Sequence, residues 1–172
     1  SSMKTFLNAF TAADYTCYPV ATTNQQDLMN LMDVYMDAVL NPLFVKDEAI
    51  FAQEGWHLEE AEDGFTFNGV VYNEMKGALS SPIRYAMSNL QAVLLPQGTY
   101  GYESGGSPAA ITSLGYEAFL DVYRRHYRLD NSYIVLYGAM DIEQVLGRLD
   151  EHHLMPWVKQ HAAGLDALDA PN

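Results

Sequence analysis

The sequence predicts an α+β fold: a mostly antiparallel sheet with helices packed on one face. Three observations predict it. Strand-like runs come in adjacent pairs, 3–11 with 15–22 and 56–60 with 66–71, instead of alternating strictly with helices. The intervening segments carry apolar residues at helical spacing. One further apolar run, Tyr133-Ile134-Val135-Leu136-Tyr137, reads as a buried strand. The expected order is ββα(α)ββααβα, with 1–163 forming one domain and 164–172 a frayed tail or linker.

The runs 3–11 and 15–22 flank Ala12-Ala13-Asp14 and read as a hairpin or two neighbouring strands. Asn24 is placed to cap a helix, with Asp27 in capping-box position. Leu28, Leu31, Met32, Tyr35, Ala38 and Val39 then keep helical spacing, which predicts a helix over 25–40 that Asn41-Pro42 stops. A short helix follows around 46–53. The segments 56–60 and 66–71 are extended about the turn Glu62-Asp63-Gly64. From 72 to about 95 the 3–4 spacing is interrupted by Gly77 and Ser80-Ser81-Pro82, predicting helix, break, helix. Residues 96–108 form the one Gly-rich loop. Ser113 is a candidate cap for a helix at 115–127, Asp130-Asn131 is a turn, and Asp141 with Gln144 caps a last helix to about His153.

A chain of 172 residues that is 49% hydrophobic and 18% charged can bury a core and is not disordered. Nine Lys and Arg against 22 Asp and Glu give a formal charge of −13. That balance argues against nucleic acid and against anionic membrane surfaces, and it attracts cationic peptides. The single cysteine, Cys17, allows no intrachain disulfide and no Cys-rich zinc site; between Thr16 and Tyr18 it reads as a buried strand thiol. No apolar run approaches the roughly 18 residues of a membrane span. The chain opens on Ser1-Ser2 without an initiator Met, within what reads as a structured element, which suggests an excised piece of a longer protein.

The five histidines, His57, His126, His152, His153 and His161, include no pair at the i, i+4 spacing of a helical HExxH site. Glu151-His152-His153 reads as a solvated helix end, because neighbouring helix residues point about 100° apart. His126 lies in a basic island, Tyr123 to Arg128; this is either a peptide or phosphate contact or the cationic C-terminus of a helix. The loop at 98–108 has no phosphate-loop pattern, and Gly105-Gly106 suit a tight turn. No Ser-His-Asp or Cys-His constellation can be assigned from spacing. Glu74 directly follows Gly69-Val70-Val71-Tyr72. Pattern alone favours a first-turn charge on the helix dipole there, with a site residue as the alternative.

Ordered stretches across 3–153 resemble one family. They are TFLNAFT (5–11), TCYPVA (16–21), NLMDVYMDAV (30–39), QEGWH (53–57), GVVYNEMKG (69–77), SSP (80–82) and TYGYESGG (99–106). Tyr116-Glu117 with Phe119, then Arg125-His126-Tyr127 and Asn131-Ser132, complete the set. Together they resemble the insulinase/pitrilysin zinc peptidases, in the presequence-protease-like branch. The resemblance implies the N-terminal catalytic half of a zinc metalloendopeptidase that degrades unstructured peptides in a chamber made of two halves. It implies a zinc site built from H-x-x-E-H plus a downstream Glu, which Glu74 matches. It also implies peptide binding by strand addition to the edge Leu7, Asn8, Ala9, Phe10 and Thr11. H-x-x-E-H does not occur in these 172 residues, so this chain holds no catalytic residue of that motif. The chain alone is therefore expected to be inactive and to bind no zinc. The alternative is a non-catalytic peptide-binding or scaffold module of the same fold. Further expectations are self-association, with the Leu7–Thr11 edge as the candidate contact, and a location in the cytoplasm if bacterial, otherwise in an organellar matrix.

Overall fold

The computed structural model describes residues 6–165. They fall into two compact units: one of 6–8, 19–42 and 125–165, the other of 9–18 and 43–124.

In the first unit, β1 (Phe6–Leu7) pairs antiparallel with β4 (Val20–Ala21), Phe6 opposite Ala21 and Leu7 opposite Val20. Helix α1 (Gln25–Leu40) starts where expected: Asn24 Oδ1 accepts from the amides of Gln26 (2.9 Å) and Asp27 (3.3 Å). The capping box is not closed: the Asn24 amide donates to Thr22 Oγ1 at 3.2 Å instead. Asn41 ends the helix. Helix α7 (Ile142–Leu149) is capped by Asp141, whose Oδ1 accepts from the Gln144 amide at 3.1 Å. The chain then does not stop near His153. It widens into one π turn, Asp150–Leu154, and continues as α8 (Met155–Leu165). The π turn explains how the helix passes Pro156, since the widened turn relieves the i−4 bond that a proline cannot make. The expected tail beyond 165 lies outside the described residues. Met29 and Met32 of α1 form a core with Val145 and Leu149 of α7; Met36, Leu136, Met140 and Leu154 pack against it.

The expected buried strand at 133–137 is not found. Among the described residues nothing pairs with it, and Tyr133, Val135 and Tyr137 are 98%, 85% and 98% exposed. Its composition is that of a strand, but a strand is buried only when neighbours supply both its ladder and its cover.

In the second unit, β2 (Phe10–Thr11) pairs antiparallel with β3 (Thr16–Cys17) around a tip closed by the Ala12 amide and the Tyr15 carbonyl, 2.8 Å. Helix α2 (Glu48–Glu54) is capped by Asp47. A hairpin of β5 (His57–Ala61) and β6 (Gly64–Asn68) follows, in register from His57 opposite Asn68 to Ala61 opposite Gly64. The strand ends at Asn68, not at 71: Val70 and Val71 open α3 (Val70–Ala78). Gly69 forces this switch. Its φ is +142°, and a Cβ there would overlap the Gly55 carbonyl and lie 2.7 Å from Trp56 Cα. Position overrides the strand preference of two valines. The break at 79–81 and α4 (Pro82–Leu94), with Ser81 as cap, are as expected. A short helix α5 (Pro108–Ile111), capped by Ser107, is unforeseen. Ser113 does not cap α6 (Tyr116–His126); its hydroxyl donates to the Ala110 carbonyl at 2.8 Å and closes α5 instead.

Tyr72, Met75 and Leu120 are the buried hydrophobics of this unit. Phe44, Phe51, Tyr116, Phe119 and Tyr123 add an aromatic cluster at 4.9–5.8 Å between ring centres. The α+β class and the antiparallel pairing hold; among the described residues the strands form three two-stranded ladders. No described helix is long and apolar enough to cross a membrane.

Candidate functional site

Glu74 lies in α3, whose Tyr72 and Met75 are buried. The helix begins at Val70, so Glu74 is in the second turn, and the first turn holds no acidic residue. The helix-dipole explanation therefore fails, because that effect is confined to the first turn. The carboxylate is exposed and has no hydrogen bond or ion pair among the described residues.

The Gly-rich loop packs beside it. Gly105 lies against the Met75 side chain so closely that a Cβ there would overlap the sulfur. Gly106, at φ +83°, completes the expected tight turn, its amide donating to the Glu103 carbonyl at 2.9 Å. Arg84 of α4 holds Glu103 at 3.1 Å. Tyr100 Oη donates to Asp14 at 2.6 Å, and that carboxylate raises the phenol above its ordinary pKa.

Of the expected peptide edge, Leu7 lies in β1 of the first unit, and Phe10 and Thr11 lie in β2 of the second. Asn8 and Ala9 join them, the Asn8 amide donating to the Pro19 carbonyl at 3.2 Å. All five positions are exposed. On its side away from β3, β2 has no strand among the described residues. Cys17 is half-buried in β3, more accessible than a core thiol.

The histidines do not converge. His57 Nδ1 is 2.8 Å from the Ala52 carbonyl, and His161 stacks on Trp157 at 4.2 Å. His126 ends α6, and His152 is exposed in the π turn. His153 is not a solvated helix end: its side chain is 11% exposed and its Nε2 lies 2.9 Å from Asp33 Oδ1. Asp33 also accepts from Arg148, with Nε at 2.9 Å and Nη2 closer still. The Arg148 hydrogen bond, joined by His153 and opposed by partial burial, holds the Asp33 carboxyl below its usual pKa. Arg148 is raised in turn by Asp33. The pairing spans 115 residues and leaves no local pattern; the one available signal is an acid flanked by Met29, Met32 and Met36 on the inner face of α1. In the basic island, Arg124 faces Glu117 at 3.7 Å and Arg128 grips Asp130 through two 2.9 Å bonds. Those pairings favour the reading as cations at a helix end.

Among the described residues no group of three or more His, Cys, Asp or Glu could hold a metal ion. Zinc needs three protein ligands and an open position. Glu74 as a lone carboxylate does not make such a site.

No family model matches the chain. It is 49% identical over 155 residues to protein HypA of Clostridium perfringens, a match covering 89% of this chain and 16% of that protein. It is 46% identical over 153 residues to presequence protease 1, chloroplastic/mitochondrial, of Arabidopsis thaliana, covering 88% and 14%. It is 47% identical over 156 residues to the mitochondrial presequence protease of Schizosaccharomyces pombe, covering 87% and 15%. Over nearly its whole length the chain is thus a homologue of presequence proteases and HypA, in keeping with its resemblance to the presequence-protease-like branch of the insulinase/pitrilysin peptidases. It spans 14–16% of the length of these relatives.

Proposed function

We propose that this chain is a segment of the N-terminal catalytic half of a zinc metalloendopeptidase that degrades unstructured peptides. The observation that carries the reading is Glu74: an exposed carboxylate without a partner among the described residues, outside the reach of the helix dipole, in a chain 46% identical over 153 residues to a presequence protease. In that role it is one ligand of a zinc ion whose other ligands, and whose general base, come from an H-x-x-E-H absent from these 172 residues. The remaining parts of the same polypeptide are then its partners. Leu7, Asn8, Ala9, Phe10 and Thr11 offer backbone to an added peptide strand, a mode that tolerates varied sequences. The compartments named for the plant and yeast relatives favour an organellar matrix for a eukaryotic source; for a bacterial source the reading is the cytoplasm.

The chain alone is inactive in this reading. Incubated with zinc and a fluorogenic peptide, it gives no cleavage above background; zinc-dependent, chelator-sensitive cleavage overturns the proposal. In the longer polypeptide, Glu74→Gln lowers zinc affinity by at least the 10–100-fold typical of outer-shell losses, read as metal content after dialysis. The missing motif favours a second reading, a non-catalytic module of the same fold. The coding sequence upstream of Ser1 separates the two, since an H-x-x-E-H there selects the peptidase.

A further inference from the structure

We infer that the Gly-rich loop is a positioning strut: through Tyr100 and Gly105 it ties the β2–β3 hairpin to α3. The inference rests on the proposed function, in which the strut keeps the Phe10–Thr11 edge and Glu74 in one frame. Hairpin, loop and α3 all belong to the second unit. The stretch from Thr99 to Gly106 is among those that carry the resemblance, yet it brings no histidine and no cysteine. Its one carboxylate, Glu103, is held by Arg84 at 3.1 Å. What the loop supplies is a contact at each end.

At the first end, Tyr100 Oη donates to Asp14 Oδ2 at 2.6 Å, across 86 residues of sequence. A hydroxyl on a carboxylate at that distance is a charge-assisted bond, stronger than a neutral one. Asp14 sits in the tip that the Ala12 amide and the Tyr15 carbonyl close. Strands β2 and β3 are two residues each, and a two-stranded ladder that short is marginal by itself. A tether at its tip therefore decides how often the hairpin stands in place. At the other end, Gly105 lies against the side chain of Met75, which is 5% exposed, and a Cβ there would overlap the sulfur. The loop thus touches α3 one residue from Glu74. Between the ends the backbone is taken up in turns. The Tyr102 amide donates to the Thr99 carbonyl at 3.2 Å, and the Gly106 amide, at φ +83°, donates to the Glu103 carbonyl at 2.9 Å. A stretch closed by turns at both ends passes displacement at one contact to the other.

The test removes one oxygen. Tyr100 is 53% exposed, so Tyr100→Phe keeps the ring and the fold and deletes only the bond to Asp14. Tyr102→Phe, the same change two residues on, is the control. In this chain, amide exchange at Ala12 and through the β2–β3 ladder accelerates by about tenfold in Tyr100→Phe and not in Tyr102→Phe. Gly105→Ala, at the far contact, accelerates the same amides and adds nothing further in the Tyr100→Phe background, as two changes in one linkage should. In the longer polypeptide, Tyr100→Phe raises KM for a fluorogenic peptide by at least about threefold and leaves kcat and zinc content unchanged, because fewer molecules hold the edge ready. Asp14→Asn, which keeps an oxygen acceptor, retains most of the wild-type KM. Hairpin exchange that ignores Tyr100→Phe, or that ignores Gly105→Ala, overturns the strut. A KM that does not move, or that moves only together with kcat and zinc content, overturns its positioning role. A wild-type polypeptide without zinc-dependent cleavage refutes the proposed function instead, and the exchange results then decide the strut alone.

Discussion

Asp33 shows what one side chain can decide. It stands on the inner face of α1, yet it keeps its charge because Arg148 and His153 both reach it from the other helical run of the unit. Removing the carboxylate leaves the half-buried His153 facing an unpaired site, so Asp33→Asn lowers stability at neutral pH. The pH dependence has a definite sign. Asp33 is held below the ordinary 3.8, so its contribution is complete above about 3.8 and is lost as pH falls through the lower folded-state value. The difference in melting temperature between wild type and Asp33→Asn therefore shrinks as pH falls below about 3.8. A difference that grows on acidification would contradict this assignment. Asn24 is a second residue with a local role. Asn24→Ala removes the side-chain acceptor of two α1 amides and costs about 1 kcal/mol in chemical denaturation.

Elements were legible in the sequence where the signal is local. Helix α1 with its Asn24 cap, α7 with its Asp141 cap, the hairpin β5–β6 and the α3–α4 break at Pro82 all follow from spacing and capping chemistry within a few residues. What was not legible depends on distant partners. Val70 and Val71 look like strand because nothing local reveals that Gly55 lies against Gly69. Residues 133–137 look buried because composition cannot show whether a neighbour is present. The candidate site divides the same way: Glu74 stands out as a candidate only through the family resemblance, and of the Asp33–Arg148 pair only the acid among the α1 methionines is visible in the sequence. Two glycines of one neighbourhood test the account of α3. Gly69→Ala introduces a side chain at φ +142° and against the Gly55 carbonyl, which costs at least about 1–3 kcal/mol. Gly77→Ala, inside α3 with nothing within 4 Å of its Cβ, stabilises by about 0.5–1 kcal/mol. Denaturant midpoints moving in opposite directions confirm that backbone conformation, and not glycine content, sets the start of the helix.

At the scale of the whole molecule, burial is distributed unevenly, and stability follows it. The first unit buries Met29, Leu31, Met32, Val145, Leu149 and Trp157; the second buries Tyr72, Met75 and Leu120. No described side chain is less than 2% exposed. Helix α4 is the extreme case. None of its residues is buried, and Ile83, Met87, Leu90 and Leu94 form a helical stripe exposed by 78%, 59%, 49% and 67%. An isolated helix of 13 residues is marginal in water, so α4 depends on its Ser81 cap, Pro82 at its first position, and the Arg84–Glu103 and Gln91–Tyr100 links to the Gly-rich loop. Each of those is exposed and weak. Local opening free energies track buried contacts, so native-state amide exchange grades the chain by element. The amides of α4 exchange fastest among the longer helices, and those of α1 and α7, which share the Met29–Met32–Val145–Leu149 core, exchange slowest. Leu120→Ala, at a position 3% exposed, costs about 2–5 kcal/mol and accelerates exchange throughout α6. Exchange in α4 as slow as in α1 would mean that its apolar stripe is covered in solution, and this distribution of stability would then be wrong.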